Sequence, residues 1–421
     1  MEVKPGYRQT EVGVIPEEWE VRRLGECATF RTGPFGSALH KSDYANDGVP
    51  VINPMHIVDG RIEPTRSMTI TDSAAKNLSD FRMKAGEIVI GRRGDMGRCA
   101  VIQAHQAGWL CGTGSMIVRC EKAADVDFVR RVLSSPQVIA AIEDTAVGTT
   151  MVNLNQGALA GLRVPLPPLP EQRAVATTLD DVDALLGALE RLITKKRELK
   201  QAAMQQLLTG KTRLPGFIGD WEMKRIEEFA DCTAGGTPST KIPEYWGGSI
   251  RWMSSGELNL KQIYEAEGRI TEAGLNNSSA QMIPEKCVLI GLAGQGKTRG
   301  TVAISFVDLC TNQSIAAILP NTGFSPEYLY YNLDSRYDEL RELSAGGGGR
   351  GGLNLRLIKG IPIPFPLLVE QTAIAAVLTD IDAEVTALEQ RLAKTRALKQ
   401  GMMQELLTGR TRLISPQEAH A

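Results

Sequence analysis

Apolar residues recur every three to four positions over two long stretches of the chain. The first series is Leu179, Val182, Leu186, Leu189 and Ile193, continued by Lys196, Lys200, Ala203 and Leu207. The second is Leu378, Ile381, Val385, Leu388 and Leu392, continued by Thr395, Lys399, Met402 and Leu406. This spacing is the heptad stripe of an α-helix. Proline-rich segments, VPLPPLP (164–170) and IPIPFP (361–366), precede the stretches and suit helix starts. Gly210 and Gly409 stand where C-terminal caps belong. A helix over 171–208 would be about 57 Å long. The stretches are also copies of each other. Residues 171–214 and 370–413 align without a gap and share 25 of 44 positions, including the EQ start and the LLTG end. Two equivalent stripes in one chain are natural partners, so the helices are expected to pair with each other. The alternative is that each packs only on its own domain. Both turn basic near their ends (KKRELK, KTRALK), which reads as a solvated or partner-facing section.

The segments between these helices match weakly but in order. EEWEVRRLGECA parallels GDWEMKRIEEFA, placing Trp19 beside Trp221. MKAGEIVIGRRGDMG (83–97) parallels IPEKCVLIGLAGQGK (283–297), and CGTGS at 111–115 parallels CTNQS at 310–314. Both segments close on a glycine-rich loop and an asparagine motif, GTTMVNLNQ (148–156) and GGGGRGGLNL (346–355). Short β-branched runs predict strands at Val49–Ile52, Ile88–Ile90, Ile117–Val118, Val288–Ile290, Val302–Ile304 and Ile315–Ile318. Phe128–Ala141 and Pro326–Leu343 read as helices. The expectation is a pair of mixed α/β (α+β) domains in tandem, related by an internal duplication and joined by two long helices. The divisions are 1–170, 171–212, 213–369, 370–413 and a tail, 414–421. One strand frame carrying different loops suggests two binding specificities of one kind.

Composition narrows the choice. The seven cysteines are scattered and form no C-x-x-C, and the four histidines show no metal-ligand spacing. Reduced structural thiols and no metal or cofactor are expected. No apolar run is long enough to span a bilayer, and the N-terminus lacks a signal pattern, so a cytoplasmic location is expected. With 47 basic and 49 acidic residues, net charge is −2. A near-neutral chain can bind nucleic acid only by concentrating its basic groups or by sharing the work with a basic partner.

Over its full length the chain resembles the specificity subunits of type I restriction–modification systems. The resemblance rests on the order of variable segment, repeated helix, variable segment, repeated helix, with the EQ and LLTG boundaries and the tryptophan openings. It implies two target-recognition domains for the halves of a split double-stranded DNA site, held apart by an antiparallel coiled coil. It also implies two methyltransferase subunits as partners, with restriction subunits joining, no membrane, and no active site in this chain. Because the two domains differ, their half-sites should differ. Half-sites one DNA turn apart, about 34 Å, need grips at fixed spacing, and a stiff helical pair can serve as the ruler.

Candidate DNA contacts follow from that. The loop Gly91–Arg98 supplies Arg92, Arg93 and Arg98, with glycines that permit close approach and guanidiniums suited to guanine or phosphate. Its counterpart supplies Gln295, Lys297 and Arg299. The competing interpretation for both loops is a solvated hairpin turn. Weaker candidates are Arg31, Lys41, Asn53, His56 and Arg61 in the first half, and Ser254, Ser255, Asn259 and Lys261 in the second. Arg350 and Asn354 adjoin the polyglycine. Asn153 and Asn155 read as caps of the turn before the helix. Residues 291–298, GLAGQGKT, match G-x-x-x-x-G-K-[ST], the phosphate loop of nucleotide-binding enzymes. That loop must open a helix, whereas the following residues read as a strand, so the match is taken as a decoy. No methyltransferase motif of the Asn/Asp-Pro-Pro-aromatic type occurs. A structural coiled-coil adaptor without DNA readout remains the alternative.

Overall fold

The computed structural model describes residues 3–34, 38–144, 153–294, 298–344 and 352–414. It divides into two units, 1–189 with 391–421, and 190–390. Each unit therefore combines one variable segment with parts of both long helices.

In the first unit, strands Cys99–Val101, Ile88–Gly91, Ser115–Cys120 and Ala28–Thr32 form an antiparallel sheet in that order. A second sheet orders Leu110–Cys111, Val49–Ile52, Thr69–Ile70 and Tyr44–Ala45. Period-two β-branched runs such as Ile88-Val89-Ile90 bury both faces: Ile88 and Ile90 meet the helices, while Val89 meets Ile52, Ile57 and Ile117. The second unit repeats the plan, with Cys232–Ala234, Ile315–Ile318, Val288–Gly291, Val302–Ser305 and Gln262–Ile263 in one sheet. All six strands expected from sequence are present.

The two expected helices of the variable segments are each broken. Phe128–Ala141 resolves into Val126–Leu133 and Pro136–Asp144. Pro136 has no N–H to donate and disfavours helical backbone at Ser135, whose hydroxyl instead accepts from the Val138 N–H at 3.4 Å. Pro326–Leu343 resolves into Pro326–Asp334 and Tyr337–Leu343. There Ser335 Oγ donates back to the Asn332 carbonyl at 2.7 Å, and Arg336 reaches the Pro362 carbonyl at 2.7 Å.

The long helices run Leu169–Leu207 and Leu368–Leu406, 39 residues each. Gly210 and Gly409 follow them in left-handed backbone, φ +69° in both. Within the first unit, Leu179 shares a core with Met402, Leu406 and Leu407. Within the second, Leu378 shares one with Ala203, Met204 and Leu207. Val182, Leu186, Ile381, Leu388 and Leu392 are half-buried, and Leu189, Ile193 and Val385 are buried. The partners run antiparallel in each unit: Asp183 and Glu171 meet Lys399 and Arg412, and Lys200 and Arg213 meet Asp382 and Glu370. The basic stretches stay largely exposed, as expected, but several of their charges are paired across the seam. Lys196 pairs with Glu384, Arg197 with Glu389 (2.5 Å), Lys200 with Asp382 (2.6 Å) and Lys399 with Asp183 (2.6 Å). Their acidic partners lie too far along the chain for a one-dimensional pattern to reveal.

Candidate nucleic-acid interface

The loop 91–98 is a hairpin turn between the antiparallel strands Ile88–Gly91 and Cys99–Val101. Gly94 and Gly97 hold it in left-handed backbone, and Gly97 lies so close to Ile139 that a Cβ would meet its side chain at 2.5 Å. Around the turn, backbone bonds gather several loops. The Arg92 N–H donates to the Gly114 carbonyl (2.9 Å), and the Arg92 carbonyl accepts from the Leu154 N–H (2.9 Å). Arg93 bridges Asn153. Asn53 Oδ1 accepts from the Gly114 N–H (3.2 Å). Gly33 packs so tightly on the Gly112 carbonyl that no side chain fits. Arg31, Arg92, Arg93 and Asn53, scattered in sequence, thus meet at one set of strand ends.

Their side chains differ in availability. Arg93 is exposed, with no acidic partner among the described residues. Arg92 is half-buried; burial, and then the charge of Arg93, push its guanidinium below the ordinary value. Arg31 pairs with Asp80 at 2.8 Å and lies over the Phe81 ring at 4.9 Å. Arg98 pairs with Asp95. Arg61 is exposed on a separate hairpin, Ile57–Val58 with Arg61–Ile62. The Lys41 side chain lies outside the described residues. His56 is buried, its Nδ1 accepting from the Asn53 N–H at 3.1 Å, and burial lowers its pKa.

The second unit rebuilds the same junction. The Leu292 N–H donates to the Ser314 carbonyl (2.8 Å), and the Leu292 carbonyl accepts from the Leu353 N–H (2.9 Å). Gln295, Lys297 and Arg350 lie outside the described residues. Arg299 is held by the Ser344 hydroxyl (3.2 Å) and the Gly294 carbonyl (3.4 Å). Ser254 stands at the start of the turn Ser255–Leu260, its N–H donating to Glu257 (2.8 Å), and Ser255 is half-buried. Exposed Asn259 donates to the Gly256 carbonyl (2.9 Å). Lys261 is drawn inward by Asp334 (2.6 Å). Asn155 and Asn354 are equivalent helix caps, accepting from Ala158 N–H (2.8 Å) and Leu357 N–H (3.0 Å). The GLAGQGKT segment leads from strand Val288–Gly291 into strand Val302–Ser305, paired antiparallel, so the helix a phosphate loop requires does not follow it.

Sequence patterns missed a pair of polar locks. Buried Glu171 accepts from Trp19 Nε1 (3.0 Å) and from both Nε and Nη2 of Arg412 (2.9 and 2.8 Å). Buried Glu370 accepts from Trp221 Nε1 (3.2 Å) and from Arg213 (2.5 and 2.6 Å). The adjoining glutamines serve the same joint: Gln172 accepts from the Asp125 N–H (2.7 Å) and Gln371 from the Ser325 N–H (3.0 Å). The identity of EQ and T-R-L in both repeats was the available signal. Burial pushes the thiols of Cys99, Cys111, Cys120 and Cys287 up to about 12, which keeps them protonated. Among the described residues no helix is long and apolar enough to cross a membrane, and no His, Cys, Asp and Glu group could hold a metal ion.

Comparison with known proteins adds a family model, the type I restriction modification DNA specificity domain, matching residues 16–201 and 218–396. The chain is 22% identical to the type I restriction enzyme MjaVIII specificity subunit of Methanocaldococcus jannaschii, over 95% of this chain and 94% of that one. It is 27% identical to the EcoR124I/EcoR124II specificity subunit of Escherichia coli, over 56% of this chain and 59% of that one. In fold it resembles the crystal structure of the type I restriction–modification S subunit from M. genitalium. The TM-score is 0.60 at 16% identity, covering 96% of this chain and 98% of the other.

Proposed function

The chain belongs to the family of type I restriction–modification DNA specificity subunits, and on that footing we propose that its two units read the two halves of a bipartite, asymmetric double-stranded DNA site. The observation that carries this is the rebuilt junction. The same backbone bonds recur around Arg92 and around Leu292, while the side chains they present differ. One frame bearing two sets of side chains is what two dissimilar half-sites require. In the first unit the exposed candidates are Arg93 and Arg61, with Arg92, Arg31 and Arg98 part-exposed. In the second the exposed candidate is Asn259, with Arg299 part-exposed.

The chain supplies recognition and scaffold. Methyl transfer and cleavage come from two methyltransferase subunits and from restriction subunits that assemble on it. The long paired helices act as the spacer between the two grips, their stiffness maintained by apolar seams and by ion pairs in each unit. The divisions 1–170, 171–212, 213–369 and 370–413 follow as recognition domain, spacer, recognition domain and spacer.

Exchange of residues 1–170 for the matching segment of a relative with a different target tests this. Methylation mapping of the assembled complex should show one half of the recognised sequence changed and the other retained. Sequence-independent binding by the wild-type complex, as a pure adaptor would give, refutes it.

A further inference from the structure

The internal duplication allows the two recognition junctions to be superposed residue by residue through their backbone bonds. Gly91 pairs with Ser115 as Gly291 pairs with Ile315. Arg31 pairs with Ile117 as Thr233 pairs with Ala317. The Gly33 N–H donates to the Ser115 carbonyl at 3.0 Å, as the Gly235 N–H does to the Ile315 carbonyl at 3.2 Å. Arg92 and Leu292 occupy matching places, as their bonds to residues 114 and 314 require. The trio Arg31, Arg92 and Ser115 of the first unit therefore stands where the second unit has Thr233, Leu292 and Ile315, one residue beyond the Ser314 that the sequence match set beside Ser115.

These three residues share a second property. Arg31 Nε, Arg92 Nε and Ser115 Oγ are buried with no hydrogen-bond partner among the described residues. Arg131 Nε, on the helix Val126–Leu133, is the other such atom in the first unit, and none occurs among the described residues of the second. Buried donors without acceptors weaken a fold, so a cluster of them at one junction points to a role outside folding. Both arginines keep part of their surface open, 39% of the side chain for Arg31, and Asp80 with Phe81 fixes the direction of Arg31.

We propose that Arg31 and Arg92, grouped with Ser115 on adjoining strand ends, read a guanine in the half-site of the first unit, and that Thr233, Leu292 and Ile315 leave the same place in the second unit indifferent to it. This rests on the reading that each unit recognises one half-site. Phosphates are present in every half-site, so a phosphate contact would be expected in both copies of the frame. A polar trio present in one copy and absent from the other tracks what differs between half-sites, the base sequence. The forked guanidinium matches the O6 and N7 acceptors of guanine in the major groove.

The test uses the full chain assembled with its methyltransferase subunits, comparing wild type with Arg92→Leu, Arg31→Thr and Arg92→Lys by methylation mapping. The first two introduce the second unit's own residues; the third keeps the charge and loses the fork. Preference for guanine at one position of one half-site should fall roughly 5- to 150-fold, with the other half unchanged. Arg92→Lys, with an unaltered melting temperature, should show the same loss. An unchanged motif in the variants overturns the inference. So does weaker binding to all sequences alike with a shallower salt dependence, the mark of a phosphate contact. A wild-type complex with no sequence preference would instead sink the two-half-site reading, and this inference with it.

Discussion

Replacing Arg412 by alanine leaves the carboxylate of Glu171 in the core with one indole N–H as its remaining partner. The Glu171 side chain has no solvent exposure and that of Arg412 has 16%. In the intact lock Arg412 makes two bonds to Glu171, at 2.8 and 2.9 Å, and a third to Glu18 at 2.7 Å. Stranding one member of a buried pair costs about 3–5 kcal/mol. The lower end applies, because Arg412 keeps a solvent edge through which water can reach the carboxylate. At about 2–4 °C per kcal/mol for a unit of this size, melting should drop by roughly 6–12 °C. Urea unfolding followed by tryptophan fluorescence checks this: the transition of Trp19 and Trp109 in the first unit should shift, while that of Trp221, Trp246 and Trp252 in the second should not. The double variant Arg412→Met with Glu171→Leu removes both charges and should recover most of the loss. A loss below about 1 kcal/mol for Arg412→Ala, or a double variant no better than the single one, would show that the lock contributes little beyond packing. Arg213→Ala in the second unit should act in the same direction and less strongly, as Arg213 is the more exposed of the two.

Acid should weaken the first unit through His56, whose folded pKa is depressed by burial. Folded His56 stays neutral while the unfolded chain takes up a proton, so stability is full above about pH 6.5 and falls as pH drops below it, by at most about 1.4 kcal/mol per pH unit. Urea midpoints across that range should show the slope, and His56→Gln should flatten it. Inserting seven residues into each long helix adds about 10 Å while keeping the seam in register, and should widen the gap between half-sites by about 3 base pairs in a methylation map. A fluorescent ATP analogue should show no micromolar binding to the purified chain, and Lys297→Ala should leave the titration unchanged, because the GLAGQGKT segment joins two antiparallel strands.

The long helices were legible because their signal is periodic and local. Leu179, Leu189, Ile193 and Leu378 are buried where the heptad spacing puts them, and Gly210 and Gly409 end the helices as their place in LLTG suggests. The strands were legible for the same reason. The break at Pro136 had a local signal too, the Ser-Ser-Pro run, outweighed by the apolar spacing on either side. Long-range pairings left no such trace. Lys196 and Lys200 look like solvent-facing residues until Glu384 and Asp382 arrive from the other helix. Arg412 finds Glu171 across 241 positions. The site was half legible. Gly91–Arg98 could be marked by its glycines and arginines, but Asn53, which clamps the neighbouring turn at Gly114, and Lys261, which pairs with Asp334, carry the same polar labels as residues left free at the surface.

Those internal pairings also explain how a DNA-reading chain can be nearly neutral. Many of its basic residues are paired within the fold. Arg131 serves Asp180 and Asp183, Lys399 also serves Asp183, Lys286 serves Glu327 (2.5 Å), and Arg412 and Arg213 close the two locks. Each such pair removes a positive charge from the set that could release counterions on a phosphate backbone. Among the described residues, Arg93 and Arg61 are exposed guanidiniums outside these pairs, beside half-buried Arg92. A surface of this kind has little general attraction for DNA and must draw its discrimination from a few geometrically fixed contacts. On the proposed reading the remaining affinity for DNA comes from partner subunits, which predicts weak, salt-sensitive DNA binding by the isolated chain.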